Sequence, residues 1–388
     1  MTPLDTLRGQ VREWGVDFRR HALELDADPE AIRAHFDLPA VRFLSTMGVP
    51  VEYGHEPEPI DGHRFDGTLA AQRVVVMEEL AAADAGMLVA SPGPLLAGVF
   101  LQQFGDPAQK ALFYQRMLDR PLWTFFALTE PAGGSDVGAM RTVIHPGSPA
   151  RLSGTKRYVG NACRARIGVV FARLKPGPLG IRAVLLETPI DGFEAVPLDM
   201  IGLRGARISA ISMDSVEVPD DAFLGRQLSP TRRGVWAFVQ TFNQLRPGVA
   251  AIGLGIARAA YEYAVSNRRS LRREEELRLD DLRRQIDGTR HLVEASAAMI
   301  DARPADGHLA SAAKARASAL AERATRTACG LLGAGARLEH PLLDKLVRDA
   351  KSMEFIEGTT HMQKLTIFQG LLSGKVDNHE VPSSETVR

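Results

Sequence analysis

The chain of 388 residues has only two cysteines, Cys163 and Cys329, far apart and without ligand spacing. That excludes a disulfide framework, and a reducing, cytoplasmic compartment is expected. Its ten histidines form no H-x-x-x-H or comparable pattern, so sequence spacing predicts no metal site. No uninterrupted apolar run approaches the roughly 18 residues of a membrane span. Met1-Thr2-Pro3-Leu4-Asp5 carries neither the basic nor the apolar part of a signal peptide. Net charge is missing too: Lys plus Arg and Asp plus Glu number 47 each, so no global field favours nucleic acid or a membrane surface. Neither G-x-G-x-x-G after a predicted strand nor G-x-x-x-x-G-K-[ST] is present, which removes the usual nicotinamide and P-loop signatures.

What remains is an ordinary globular composition, 45% hydrophobic and 24% charged, with enough length for two or three cores. From Leu4 to about Arg120 the pattern is helical. Leu7, Val11, Trp14 and Phe18 share one face, as do Val75, Met77, Leu80 and Ala81. Gly48-Val49-Pro50 and Ser91-Pro92-Gly93-Pro94 read as helix connections. From about Leu122 to Gly225 the period drops to two. Gly168–Arg173, Ile181–Leu186 and Ile208–Met213 read as strands, bounded by Pro- and Gly-rich turns, which predicts a small sandwich or barrel. From about Pro230 to Leu372 helix returns. Val249–Ser266, Leu279–Ala302 and Leu309–Leu332 are long alanine-rich segments, expected to form a four-helix bundle. The predicted class is α+β multidomain: helices over 1–121, a central β domain over 122–228, and a helical bundle over 229–388.

Three stretches could carry chemistry. Ala127-Leu128-Thr129-Glu130-Pro131-Ala132-Gly133-Gly134-Ser135-Asp136 follows the apolar run Leu122–Phe126. Such a turn can lay backbone N–H groups against a flat anionic ligand, although Gly-Gly-Ser-Asp is also ordinary turn chemistry. Gly154–Ala162 puts Tyr158 ahead of Gly160 and Asn161, where an aromatic ring could lie beside a flat ligand or simply end a strand. Glu357 sits where an apolar stretch breaks at Gly358, before Thr359 and Thr360. Gly and Thr there suit a helix end and the next helix start. A carboxylate flanked by Phe355 and Ile356 would equally be desolvated and basic enough to serve as a general base. Arg268–Glu276 reads as a solvated helix face with i,i+4 pairs, and Arg246-Pro247 as lying near the start of the Val249 helix.

Taken in order, these fragments resemble the acyl-CoA dehydrogenase family of flavoenzymes. The resemblance runs over nearly the whole chain: Glu78-Glu79-Leu80 and Phe104-Gly105; Leu128-Thr129-Glu130-Pro131 through Ser135-Asp136; Gly154-Thr155-Lys156 with Asn161; Gly202-Leu203-Arg204-Gly205; Val216–Pro219 and Leu224-Gly225; Arg246-Pro247-Gly248; and Arg348-Asp349-Ala350-Lys351 with Glu357-Gly358-Thr359. It implies FAD as cofactor and an acyl thioester as substrate. Phe126, Leu128 and Thr129 would line the flavin, and Gly134 and Ser135 would meet the pyrophosphate. Tyr158 stands where the family usually has a stacked tryptophan, and Gly160 where it has a threonine. Thr359 and His361 match cofactor contacts, Arg246 and Gly358 flank the substrate, and Glu357 matches the commonest catalytic base. The alternative base position, just before Arg246, is Leu245 here. The implied reaction takes the α proton onto Glu357 and a β hydride onto the flavin, with no metal, nucleic-acid or membrane partner.

Two family features are missing. Arg268–Glu276 replaces an Arg-x-x-Phe-Gly segment, and Gly330 replaces a glutamine ahead of Gly333-Ala334-Gly335. Both fall on the adenine side of the cofactor and leave a homodimer and a homotetramer open, as they leave the electron acceptor. Together with Met353–Glu357 and Met362-Gln363-Lys364 they resemble a branch that acts on acyl groups held on an acyl carrier protein. That branch implies a role in making polyketide extender units, or oxidation of an α-hydroxy or α-amino acyl group. A flavin-dependent oxidase or monooxygenase of the same fold is the remaining alternative.

Overall fold

The computed structural model describes residues 2–134 and 136–375. Helix α1 (Pro3–Ala27) opens on a reciprocal cap: the Asp5 N–H donates to Thr2 Oγ1 (3.2 Å) and the Thr2 N–H donates to the Asp5 carboxylate (2.8 Å). Leu7, Val11 and Phe18 are fully buried along its inner face. The 3₁₀ segment Pro29–His35 and helices α2 (Pro39–Thr46), α3 (Ala70–Ala90), α4 (Leu95–Phe104) and α5 (Pro107–Asp119) complete the N-terminal region. Leu69 cannot cap α3, and Asp301 does so instead, its carboxylate accepting from the N–H groups of Ala70 (2.7 Å) and Ala71 (2.9 Å). Inside α3 the backbone breaks at Asp84, which recaps the second half by accepting from the Met87 N–H at 2.7 Å.

The central strands form one seven-stranded mixed sheet. They are β1 (Thr124–Ala127), β2 (Val143–His145), β3 (Ala150–Val159), β4 (Ile167–Arg173), β5 (Ile181–Glu187), β6 (Phe193–Pro197) and β7 (Ser209–Val218). The order is β1-β4-β2-β3-β7-β6, with β5 pairing β4 on its second edge. Strand β4 is buried from Ile167 to Ala172, because it is paired on both edges and its alternate side chains enter two separate apolar clusters, Val170 and Ala172 in one and Ile167, Val169 and Phe171 in the other. Its sequence is accordingly a continuous apolar run. The parallel register Thr124↔Ile167 to Ala127↔Val170 aims the end of β1 into the turn that follows it.

The bundle comprises α6 (Val235–Asn267), α7 (Arg273–Ala302), α8 (His308–Leu332), the short α9 (Ala336–Glu339), α10 (Pro341–Ser352) and α11 (Thr360–Leu372). Two readings from sequence are corrected. Helix α6 begins at Val235, so Arg246 and Pro247 lie inside it rather than near its start. Burial from Ala237 to Ala264 outweighs the penalty of an internal proline. Arg268–Arg272 form the connection to α7, not a helix face. Glu275 is buried there, accepting from the guanidinium groups of Arg268 (3.1 Å) and Arg272 (3.0 Å) and from the Arg272 N–H (2.8 Å).

Buried ion pairs join the regions. Glu79 meets Arg8 of α1 (2.9 Å) and Arg258 of α6 (2.6 Å), and Glu78 meets Arg290 of α7 (2.9 Å). Burial alone would raise the Glu79 carboxyl, but Arg258, Arg12 and Arg8 hold it down to about 2. Lys345 of α10 sits between Asp84 (2.6 Å) and Asp349 (2.7 Å), and Asp349 also accepts from the Leu203 N–H at 2.7 Å. Gly202 is required beside it: a Cβ would lie 2.1 Å from the Arg348 carbonyl oxygen. Two of the quoted motifs, Gly202–Gly205 and Arg348–Lys351, therefore dock the bundle on the sheet.

Candidate active site

The turn after β1 is built around a buried carboxylate. Glu130 accepts from the Arg141 N–H (2.7 Å), the Thr142 N–H (2.8 Å), Thr142 Oγ1 (2.5 Å) and Lys156 Nζ (3.1 Å). Lys156, fully buried, also donates to the Leu128 carbonyl at 3.0 Å. Burial pushes the Lys156 ammonium down to about 8 against the attraction of Glu130. Burial would raise Glu130, but the bonds from Thr142 and Arg141 hold it below the ordinary carboxylate value. With its carboxylate turned inward, the turn exposes Pro131 to Gly134 to solvent. Thr129 is half-buried, its methyl group would be 3.1 Å from a Cβ at Gly134, and its carbonyl accepts from the Arg157 N–H at 2.9 Å. That bond sets the adjacent Tyr158 beside the turn. Tyr158 has φ of 61° and a side chain 57% exposed, with the Arg157 guanidinium 5.4 Å from its ring centroid. Gly160 follows at the end of β3, half-buried near Ile208.

The second element is the loop between α10 and α11. Glu357 has φ of 52° and Gly358 of 99°, two consecutive left-handed residues that turn the chain into α11. Lys314 of α8 holds this turn from below, its Nζ donating to the carbonyls of Gly358 (2.7 Å) and Glu354 (3.0 Å). Gln363 holds it from the other side, donating to the carbonyls of Glu357 (3.1 Å) and Gly358 (3.0 Å). Thr359 occupies the N-cap position of α11 without a side-chain cap bond; Glu354 satisfies the Thr360 N–H instead at 2.8 Å. Glu357 is half-buried as a residue, yet its Oε2 is enclosed and has no hydrogen-bond partner among the described residues. Burial pushes its carboxyl up to about 8, against the opposing fields of Arg246, Lys314 and Arg73. A carboxylate in that state is a proton acceptor waiting for a donor.

Arg246 is buried on α6, with Nη1 2.8 Å from Asn243 Oδ1, and burial pushes its guanidinium down while Glu357 pulls it up. The two elements meet through aromatic rings: Phe126 at the end of β1 lies 6.0 Å from Phe242, and Phe242 lies 6.0 Å from the Arg246 guanidinium. The structure thus joins Glu357, Gly358 and Arg246 in one cluster and Phe126, Leu128, Thr129, Gly134, Tyr158 and Gly160 around the end of the sheet. His361 lies exposed on the first turn of α11. Ser135 lies outside the described residues. Sequence reasoning missed Lys314, Gln363 and Arg73. Lys314 had a legible signal, because it interrupts the buried stripe Ala310, Ala313, Ala317, Ala321 of an otherwise apolar helix face.

The acyl-CoA dehydrogenase middle-domain model matches residues 125–216, and the acyl-CoA dehydrogenase C-terminal-domain model matches residues 232–372. An acyl-CoA dehydrogenase of Bacillus subtilis (strain 168) is 31% identical over 284 residues, covering 70% of this chain and 74% of the relative. The chain belongs to the acyl-CoA dehydrogenase family. The butyryl-CoA dehydrogenase of Megasphaera elsdenii superposes with a TM-score of 0.81 at 26% identity, covering 96% of this chain and 99% of that one. The prolyl acyl carrier protein oxidase AnaB shares the fold with a TM-score of 0.81 at 20% identity, over 96% of this chain and 98% of its own.

As an acyl-CoA dehydrogenase the protein is an oxidoreductase acting on CH–CH groups, and its cofactor is FAD. The residues present fit that group. Tyr158 offers an exposed ring at a strand end, the turn at Gly133-Gly134 leaves its backbone open to an anion, and the enclosed Glu357 Oε2 lacks a partner. Among the described residues no helix is long and apolar enough to cross a membrane.

Proposed function

We propose that the protein dehydrogenates an acyl thioester, with Glu357 as the base that removes the α proton. The observation that carries this is the Glu357 carboxylate: Oε2 enclosed, unpartnered, and pushed up to about 8. Once the α C–H bond breaks, negative charge spreads onto the thioester carbonyl oxygen. The Glu357 backbone N–H donates to no group among the described residues and serves as a donor to that oxygen. The left-handed Glu357-Gly358 pair, anchored by Lys314 and Gln363, fixes the carboxylate and this N–H relative to each other. Arg246, Lys314 and Arg73 keep the raised value from climbing further, so Glu357 becomes the free base as pH rises through about 8. Phe126 and Phe242 line the approach and exclude water.

FAD, when bound, supplies the acceptor for the β hydrogen, which leaves as hydride. Phe126, Leu128 and Thr129 would line its ring, Tyr158 and Gly160 would face it, Gly134 and Ser135 would take its pyrophosphate, and Thr359 and His361 would touch it beyond Glu357. A surface cleft of about 410 Å³ between α7 and α8 is lined by Gly330 together with Arg278, Arg323 and Arg326. These arginines stand in for the missing adenine-side contacts toward a second copy of the chain in a homodimer or homotetramer. The regions 1–121, 122–228 and 229–388 act as the three domains, in a cytoplasmic enzyme. Presentation of the acyl group on a carrier protein, in polyketide extender-unit synthesis, rests on the altered Arg268–Glu276 and Gly330 together with Met353–Glu357 and Met362-Gln363-Lys364. Turnover of one acyl group on carrier protein and on coenzyme A decides the carrier; strong preference for the CoA ester rejects the carrier-protein reading. Glu357→Gln tests the base: it should retain FAD and lose turnover, and normal turnover would end the assignment. Oxygen consumption without an added electron acceptor would favour an oxidase.

A further inference from the structure

Away from this site, α1 and the 3₁₀ segment after it bring three metal-ligating side chains together. His21 Nδ1 lies 2.8 Å from Glu24 Oε2, and His35 Nε2 lies 3.3 Å from the same oxygen. The two imidazole rings are 3.9 Å apart between centroids. One ligand atom from each residue falls within 4.8 Å of the others. Tetrahedral zinc, with bonds of about 2.0–2.2 Å to nitrogen and oxygen, needs ligand atoms about 3.3–3.5 Å apart. The His35–Glu24 pair at 3.3 Å has that spacing, the His21–Glu24 pair at 2.8 Å would open slightly, and the two histidine nitrogens lie within 4.8 Å. His21 and Glu24 are one helical turn apart on α1, so both project from one face. His35 ends the 3₁₀ segment and is largely covered.

We propose that His21, Glu24 and His35 bind one divalent transition-metal cation of the zinc type. Two imidazoles and one carboxylate select such an ion over Mg²⁺ or Ca²⁺, which take oxygen ligands. Water completes the fourth position. The ion replaces the protons that the rings otherwise share with Glu24, and it staples the 3₁₀ segment to α1. That segment packs the N-terminal region against the β domain. Its Glu30 pairs with Arg207 of the β domain at 3.2 Å, and its Arg33 lies 4.7 Å from the Trp123 ring centroid. The role is structural and independent of the dehydrogenase reading. The histidine spacing in sequence hides the site because His35 arrives from a separate element.

The test titrates ZnCl₂ alone into chelator-treated full-length holoenzyme by calorimetry, beside His21→Ala, His35→Ala and Glu24→Gln. The expected result is one Zn²⁺ per chain, with affinity at least about tenfold weaker in each histidine variant. Glu24→Gln should weaken binding as well. Zn²⁺ should raise the melting temperature of the wild type and not of His35→Ala, and Mg²⁺ should do neither. FAD content and far-UV circular dichroism verify that each variant is folded. Absence of a one-to-one Zn²⁺ site, equal binding of Mg²⁺, or unchanged Zn²⁺ affinity in both histidine variants would overturn the proposal.

Discussion

The turn after β1 and the loop before α11 each place a glutamate in the protein interior, and they treat it in opposite ways. Glu130 accepts four hydrogen bonds, including one from buried Lys156, and stays below the ordinary carboxylate value. Glu357 has three cations in its field but no partner on Oε2, and it stays far above that value. A satisfied carboxylate shapes a scaffold; one left open is held for chemistry. The two glutamates resemble each other in sequence, each beside a glycine-containing turn, and their burial and hydrogen bonding separate them.

The sharpest way to break this contrast is to replace both carboxylates by amides. Glu357→Gln should lower kcat by about 10²–10⁴-fold, the usual contribution of a general base, with FAD content unchanged. Glu130→Gln should leave Lys156 buried without its counter-charge and cost about 3–5 kcal/mol of stability, read as a lower melting temperature with loss of FAD. Equal behaviour of the two variants would erase the distinction. Lys314→Met comes next. It strands the carbonyl of Glu354, while Gln363 still donates to that of Gly358, at about 1–3 kcal/mol, measurable by denaturant unfolding. It also removes a positive charge that holds Glu357 down, so the acid limb of the pH–rate profile should move to higher pH. Tyr158→Ala should have the smallest effect, weakening FAD by about 0.5–1.5 kcal/mol in a fluorescence titration while Glu357 chemistry on bound FAD persists.

The same contrast has a stability signature. Native Glu357 holds its proton up to about pH 8, whereas the unfolded chain releases it near 4.5. Between those values the native state binds more protons, so this residue makes stability fall as pH rises across the window. Comparing the unfolding free energy of wild type and Glu357→Gln at several pH values isolates the slope, which the variant should lack.

The layered order of helices, sheet and helices was legible because period and composition change where the architecture changes. The strands over Gly168–Arg173 and Ile181–Leu186 match β4 and β5 almost residue for residue. The start of α6 was not legible: a proline usually opens a helix, and only tertiary burial from Ala237 onward lets Pro247 sit inside one. Arg268–Glu276 misled for a related reason, since charge density suggests a solvated face and Glu275 is buried by its own arginines. At the site, Glu357 could be picked from the helix break and its apolar flanks. Lys314 and Gln363 could not be assigned to it, because their donors reach backbone carbonyls, which sequence does not display.

The most direct measurement is the pH dependence of flavin reduction in a single anaerobic turnover with an acyl thioester, for wild type and Glu357→Gln. The wild-type rate should climb as pH rises through about 8, where Glu357 ionises, and the variant should be slow and flat over the same range. A variant that reduces flavin at the wild-type rate, or keeps the wild-type pH profile, would contradict Glu357 as the base.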